Sequence, residues 1–470
     1  MNSYALAGIL GYVIIQFAIG AWVSRRIASE QDYILAGRSL GTGLVAFSVF
    51  ATWFGAEAIV ASAGEIYSKG LSGAITDPFG YGAAVLIVGA CLAFPLWRRG
   101  IVTYADMVRS RYSPAVEKLF VIVLLPGSIL WAAAQIRAFG QILGSTTGME
   151  VTSAILVAAV LVGAYSVVGG LLADAITDVV QGIAVMIGLV VVTVFVANAL
   201  GGLGAGLAKI EPARLSLAGG DGDGFLDRAE KLAVVLCGSL VAVELVSRFL
   251  GARTAAIAAA GTVAGGLMYL AMGLFPLFLG LVGPLLIKDL AEPEQIVPRL
   301  AEAHLPAVAY ALFVGALVSA ILSVVHAALH APAAQVSHNI VSRFFPHLPP
   351  RTRLTSVRLS VLGLSVIAWL LANSVESIKE LVELASAFGS AGAVVVALFG
   401  LFTPFGGPWA AFVTLIAGSL VWASGKFLLG LEAPYLIALA SALIAYVAVG
   451  LTEALAGESP APSERTRDGP

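Results

Sequence analysis

Apolar residues run through this chain in long stretches, and polar residues gather mainly between them. Thirteen stretches approach the ~20 residues a helix needs to cross a bilayer. They lie at about 4–23, 41–66, 74–97, 117–143, 151–169, 174–200, 230–250, 254–287, 306–342, 355–373, 380–403, 408–429 and 432–455. The pattern predicts an all-α polytopic membrane protein of about 13 transmembrane helices. Two stretches are interrupted. Span two carries Gly55 and the carboxylate Glu57 near its middle, and span seven carries Gly238-Ser239 with Glu244 and Arg248 beyond. Glycine weakens a helix by about 1 kcal/mol relative to alanine. A carboxylate at the bilayer centre costs at least ~2.5 kcal/mol and survives mainly where it faces a bundle interior or a watery cavity. Both features predict helices broken near the midplane, the arrangement secondary transporters use for substrate and ion sites.

The two broken spans start five spans apart. Five is odd, so a second repeat must enter the membrane from the opposite face, which predicts two inverted five-helix repeats. The core repeats then cover about 41–200 and 230–403. Helices 4–23, 408–429 and 432–455 are peripheral, and residues 1–456 form one transmembrane domain. The tail 457–470 (GESPAPSERTRDGP) is polar, Pro-rich and expected to be disordered.

Composition supports the membrane reading. The chain is 59% hydrophobic and 11% charged, against roughly 25% charge in soluble domains. A net charge of −2 implies no nucleic-acid partner. Cys91 and Cys237 sit in apolar segments and read as small core residues. No positive charge precedes the first apolar run, unlike a cleaved signal peptide. With the N-terminus outside, inside loops hold sixteen of the 26 Lys and Arg, Arg248 counted among them. Outside loops hold nine, and Arg137 lies within a span. That bias predicts N-terminus out and C-terminus cytoplasmic, in a bacterial inner (plasma) membrane. No P-loop, nucleophile elbow or HExxH sequence occurs, so no enzyme is predicted.

Several runs resemble the sodium:solute symporter family over roughly residues 31–345. They are DYILAGRSLG (32–41), GGLLADAITDVVQ (169–181) and SAILSVVHAALHAP (319–332). ATWFGAEAIVASAGEIY (51–67), PLWRRGIVT (95–103) and WAAAQIRAFG (131–140) look most like the branch that includes high-affinity choline transporters. The resemblance implies the LeuT fold, a ten-helix inverted-repeat core with one helix before and two after. It implies cation-coupled symport of a small solute by alternating access. A sodium ion would be held by carbonyls of Ala51, Phe54 and Ala320 and by the hydroxyl of Ser323, with Asp178 near the inner end of its path. Val324 stands where the family carries a second hydroxyl, so one oxygen ligand is missing. Asp178 also reads as a helix-start carboxylate.

His326 and His330 follow one and two turns later. With Ser319, Ser323 and Ser337 they form a polar stripe at helical spacing. Three readings stay open: protonation of His326 or Glu57 replacing or supplementing sodium, a zinc pair, or polar residues bonded within the bundle. The choline-branch resemblance implies an aromatic box from Trp53, Tyr81 and Trp131, with Ala242 where a fourth aromatic would stand. Cation–π attraction contributes up to ~2 kcal/mol per desolvated ring. Glu57 and Asp77 add negative charge, which favours a cationic or amine-bearing solute, or a zwitterionic one if Arg137 binds its carboxylate, and Glu244 is a further candidate for solute binding. Arg137 needs a partner inside a span. It either pairs Glu57, Asp77 or Glu244, or binds a substrate carboxylate. The expected partners are therefore a small solute, sodium or a proton, and lipid, with no resident cofactor. A proton-coupled transporter and a non-transporting solute sensor are the alternatives.

Overall fold

The computed structural model describes residues 3–25, 27–217, 224–374 and 378–456. The expected disordered tail lies outside them. The described residues are helices and connecting loops, plus one isolated parallel bridge between Leu40 and Ala252. Among the described residues, eleven helices are long and apolar enough to cross a membrane. The thirteen apolar stretches map onto these eleven because two continuous helical runs hold more than one stretch. The run Glu57–Arg98 contains the second half of span two and all of span three, with a turn at Gly70 between them. The helix Val151–Ala199 contains spans five and six.

That 49-residue helix is far longer than the ~30 Å hydrocarbon core requires. It bends at Gly170, whose φ of 67° and ψ of 171° lie outside helical space. A side chain is strained in that region, and the site has little room besides: a Cβ there would come within 3.0 Å of the Tyr33 ring. The sequence predicts a loop between spans five and six. The helix resumes directly after Gly170 instead, which carries Asp174 and Asp178 into the bundle.

Both predicted interruptions exist. The first broken helix runs Thr42–Trp53, turns through Phe54 and Gly55, and resumes over 57–69 in a wide first turn. Gly55 is required by contact: a Cβ there would lie 2.7 Å from Val324 Cγ2. The break therefore sits directly against the helix Ala307–Gln335. The second broken helix comes apart at Ala242 (φ −62°, ψ 112°), between Phe225–Val241 and Val243–Leu250. This corrects the expected position, because Gly238-Ser239 stays helical. Gly238 instead lets this helix touch Ser386, whose carbonyl oxygen would lie 2.6 Å from an added Cβ. A third interruption, at Phe388-Gly389, separates Ile378–Ala387 from Ser390–Phe402.

The helix Ala307–Gln335 is the axis of the molecule. Every residue from Phe313 to Gln335 is buried, so its near-continuous apolar sequence reflects neighbours on all sides. Helices 3–24, 42–53, 114–147, 151–199 and 350–372 pack against it. The loop before the first broken helix joins the end of the second: Leu40 N–H donates to Gly251 O (3.1 Å), and Arg253 N–H donates to Leu40 O (3.0 Å). Tyr33, in the short helix Glu30–Leu35 that precedes this loop, donates its hydroxyl to Ser166 O at 2.6 Å. The two breaks thus lie on helices tied together at one end.

Candidate functional site

A cavity opens between the two breaks. Its walls include Trp53, Glu57, Tyr81, Trp131, Ala242 and Glu244, together with Ser239, Ser386 and Phe388. Five of the six residues expected to bind solute therefore meet in one place. Arg137 is the sixth and stands apart: its Nη1 donates to Ala372 O at 2.9 Å, at the end of the helix Pro350–Ala372.

Glu57 is held by helix 114–147. Trp131 Nε1–H reaches both carboxylate oxygens, at 3.0 and 2.8 Å, and Gln135 Nε2–H donates to Oε2 at 2.5 Å. Gln135 also accepts the Ala56 N–H at 3.4 Å. One side chain thus serves both the acid and a backbone amide beside the break. Backbone groups freed by a break in a membrane helix must find such partners. At the second break the Tyr104 hydroxyl donates to Leu240 O at 3.4 Å. The Trp53 and Trp131 rings lie 5.4 Å apart and are tilted by 55°, forming one aromatic wall. Tyr81 joins it and bonds Ser386 through its hydroxyl at 3.1 Å.

Across the cavity, Glu244 sits in the first turn of Val243–Leu250 and is buried, with the Ser128 hydroxyl beside it. Its Oε1 and the Ser239 hydroxyl have no hydrogen-bond partner. Ala242 contributes no ring to this wall.

The cavity leads into a larger vestibule of about 300 Å³ through the shared residues Glu57, Tyr81 and Ser386. Eight carboxylate residues and two lysines line the vestibule. Asp77 is one of the eight, and it accepts a hydrogen bond from the Tyr269 hydroxyl at 2.8 Å. Glu230 is another, taking the Tyr435 and Leu436 amides at 2.6 and 2.8 Å, where it caps the helix Pro434–Leu455. The excess of acid sets a negative potential along the approach.

The expected ion residues lie on the first broken helix and on the axial helix that meets it at Gly55. Ala51 is in the last turn of Thr42–Trp53, where carbonyls lose their amide partners. Phe54 is in the turn itself. Ala320 and Ser323 are buried on the axial helix, and Val324 presents methyl groups to Gly55. Asp178 accepts hydrogen bonds from Ser48 Oγ at 2.7 Å and from Ser323 Oγ. It is not at a helix start, because the helix is continuous from Leu171 onward, so the helix-start reading is corrected.

One turn away, Asp174 forms an ion pair with Arg248 and a 2.9 Å contact with His326 Nδ1. Arg248 is fully buried. Counting it as an inside-loop charge is therefore corrected, because the second broken helix carries it into the bundle. His326 stacks on His330 with rings 5.2 Å apart, and His330 Nε2 lies 3.0 Å from Tyr33 O. The two histidines thus have neighbours within the bundle, His326 in Asp174 and His330 in Tyr33, while the Ser337 hydroxyl has no hydrogen-bond partner. No group of metal-ligating side chains fit for zinc occurs among the described residues.

Sequence reasoning missed Gln135, Ser48, Ser128, Asp174 and the wall around Phe388. A carboxylate four residues before Asp178 was a usable signal for Asp174. It was obscured by the loop expected at 170–173. Gly389 was the signal for the third interruption.

Comparison with known proteins adds three findings. The pattern of the sodium:solute symporter family matches residues 33–418. High-affinity choline transporter 1 of Drosophila melanogaster is 29% identical over 193 residues, which are 40% of this chain and 31% of that protein. The chain thus spans less than a third of that relative's length. The uncharacterized symporter YidK of Escherichia coli is 24% identical, over 96% of this chain and 83% of that protein. The solved structure of a sodium-coupled sialic acid symporter, in a substrate-bound outward-open state, superposes with a TM-score of 0.81. It covers 96% of this chain and 98% of its own, at 16% identity. The likeness bears out the expected all-helical LeuT-type fold. It does not fix the number of crossings.

Proposed function

The chain belongs to the sodium:solute symporter family, a family of multi-pass membrane transporters rather than enzymes, and from that premise we propose that it imports a small amine-bearing or zwitterionic solute by sodium-coupled alternating access. The observation that carries this reading is the cavity between the broken helices, with carboxylates on two sides, an aromatic wall, and an acidic vestibule as its approach.

The solute's ammonium rests against the Trp53–Trp131 wall and Tyr81, within the field of Glu57 and Glu244. Ring faces attract a desolvated cation, and the acidic vestibule raises its local concentration. Sodium binds between Ala51, Phe54, Ala320 and Ser323, with Asp178 on its inner path. Oxygen ligands suit a hard cation that sheds its water. Because Gly55 touches Val324, the solute site and the ion site share one break, so occupancy of one shapes the other. Each positive charge moved inward gains about 2.3 kcal/mol per 100 mV. The N-terminus lies outside and the C-terminus in the cytoplasm of the inner membrane. That orientation puts the acidic vestibule on the outer side, among loops read as external.

Uptake by proteoliposomes loaded without sodium tests the coupling. An inward sodium gradient at constant pH is expected to drive accumulation of a small amine or amino acid. Accumulation that follows a proton gradient and ignores sodium would assign coupling to protons instead, with His326 and Glu57 as the groups to examine. The missing Val324 hydroxyl is the observation that keeps this second reading in play.

A further inference from the structure

The two carboxylates facing the cavity are not equivalent. Glu57 receives N–H donors from Trp131 and Gln135 on both its oxygens. Glu244 is equally buried, at 4% exposure, but its Oε1 has no partner. The Ser239 hydroxyl, 3% exposed, is also unpartnered and lines the same wall. A buried polar atom left unpaired costs on the order of 1–3 kcal/mol, more when charged. That cost is relieved when a bound solute supplies a donor. Ala242 stands between Ser239 and Glu244 in the chain, so this stretch offers oxygen acceptors and no ring of its own.

We propose that the cavity selects an ammonium bearing at least one N–H, that is a protonated primary, secondary or tertiary amine, over a quaternary ammonium, with Glu244 Oε1 as the acceptor and Ser239 assisting. This rests on the amine reading above and narrows it. A quaternary ammonium carries its charge behind methyl groups and has no hydrogen to donate. Against the Trp53–Trp131 wall it would be attracted as well as any amine, but on the Glu244 side it would leave Oε1 buried and unpaired. A site built to hydrogen-bond a ligand N–H discriminates strongly against the analogue that lacks it. The cavity itself measures about 70 Å³, so it takes the ammonium head, and the solute's remainder extends into the vestibule.

The test is a methylation series. Ethanolamine, N-methylethanolamine, N,N-dimethylethanolamine and choline are titrated by calorimetry into the purified full-length chain in lipid nanodiscs, with sodium chloride at pH 7. The first three are expected to bind with similar affinity. Choline is expected to bind at least about tenfold more weakly, the worth of one charged hydrogen bond. Glu244→Gln is expected to weaken all four, because it removes a charge from the cavity, but to weaken the three amines several-fold more than choline, which removes most of the step. The wild-type series decides the matter even if that variant fails to fold. Choline binding as tightly as the dimethyl compound, or a step of unchanged size in Glu244→Gln, overturns the proposal and leaves the amine reading standing. If none of the four binds while a neutral or anionic solute binds in the presence of sodium, the amine reading falls and takes this one with it.

Discussion

Two charged clusters lie inside this bundle, one against the axial helix and one around the cavity, and their acids are partnered differently. Around Asp174 and Asp178, each acid faces a partner from another helix: Arg248, His326, Ser48 and Ser323. Around the cavity, Glu57 is tied to its neighbours, while Glu244 and Ser239, which line the wall, each keep a buried unpaired oxygen. The first cluster is closed by ion pairs that hold helices in register, although Asp174 Oδ1, Arg248 Nε and Nη2 and His326 Nε2 have no hydrogen-bond partner. Unpaired atoms alone therefore do not mark a binding site. At Glu244 and Ser239 they coincide with a cavity wall.

The largest expected effect probes the closed cluster. Arg248→Met removes the positive partner of Asp174 and leaves a buried carboxylate uncompensated, which costs about 3–5 kcal/mol. Thermal melting of the detergent-solubilised protein should drop sharply or folded protein should be lost, and adding Asp174→Asn should restore much of it. A single variant that melts like wild type would mean the pair carries no structural weight, and the contrast between the clusters would fail.

Gly55→Ala tests whether the two clusters communicate through the first break. The new methyl would meet Val324, and overpacking of this kind costs about 1–3 kcal/mol. Val324→Ala in the same chain should relieve it. Failure of the second change to rescue would separate the break from the axial helix.

Glu57→Gln should behave unlike Arg248→Met. Glutamine keeps an oxygen for the Trp131 N–H, so the melting temperature should move little, while affinity for a cationic solute should fall by about tenfold, the worth of a desolvated charge contact. Loss of folding with unchanged affinity in the residual folded fraction would put Glu57 with the closed cluster.

The smallest effect sharpens the ion side. Val324→Ser restores an oxygen where the family pattern carries one, beside Ser323. Sodium-dependent stabilisation should then appear at several-fold lower sodium, read as a thermal shift. An unchanged sodium dependence would show that the ion does not sit between Ser323 and the break.

The sequence by itself determined the membrane class, the family and the position of the first break. Each of these is written in local signals: long apolar runs, motifs in fixed order, and a glycine beside an acid. It also named five residues that meet in the cavity, because a broken helix must bring its polar groups to the bundle interior. Only the tertiary structure decided the rest. It moved the second break from Gly238 to Ala242, since Gly238 is spent on close contact with Ser386, and a packing glycine and a breaking glycine read alike in sequence. It carried Asp174 and Arg248 inward by continuing a helix past Gly170, and it set Arg137 at the end of another helix, away from the cavity. Which acid is satisfied and which is left open depends on partners as far as 206 residues away in the chain, and sequence spacing holds no record of distances across a bundle.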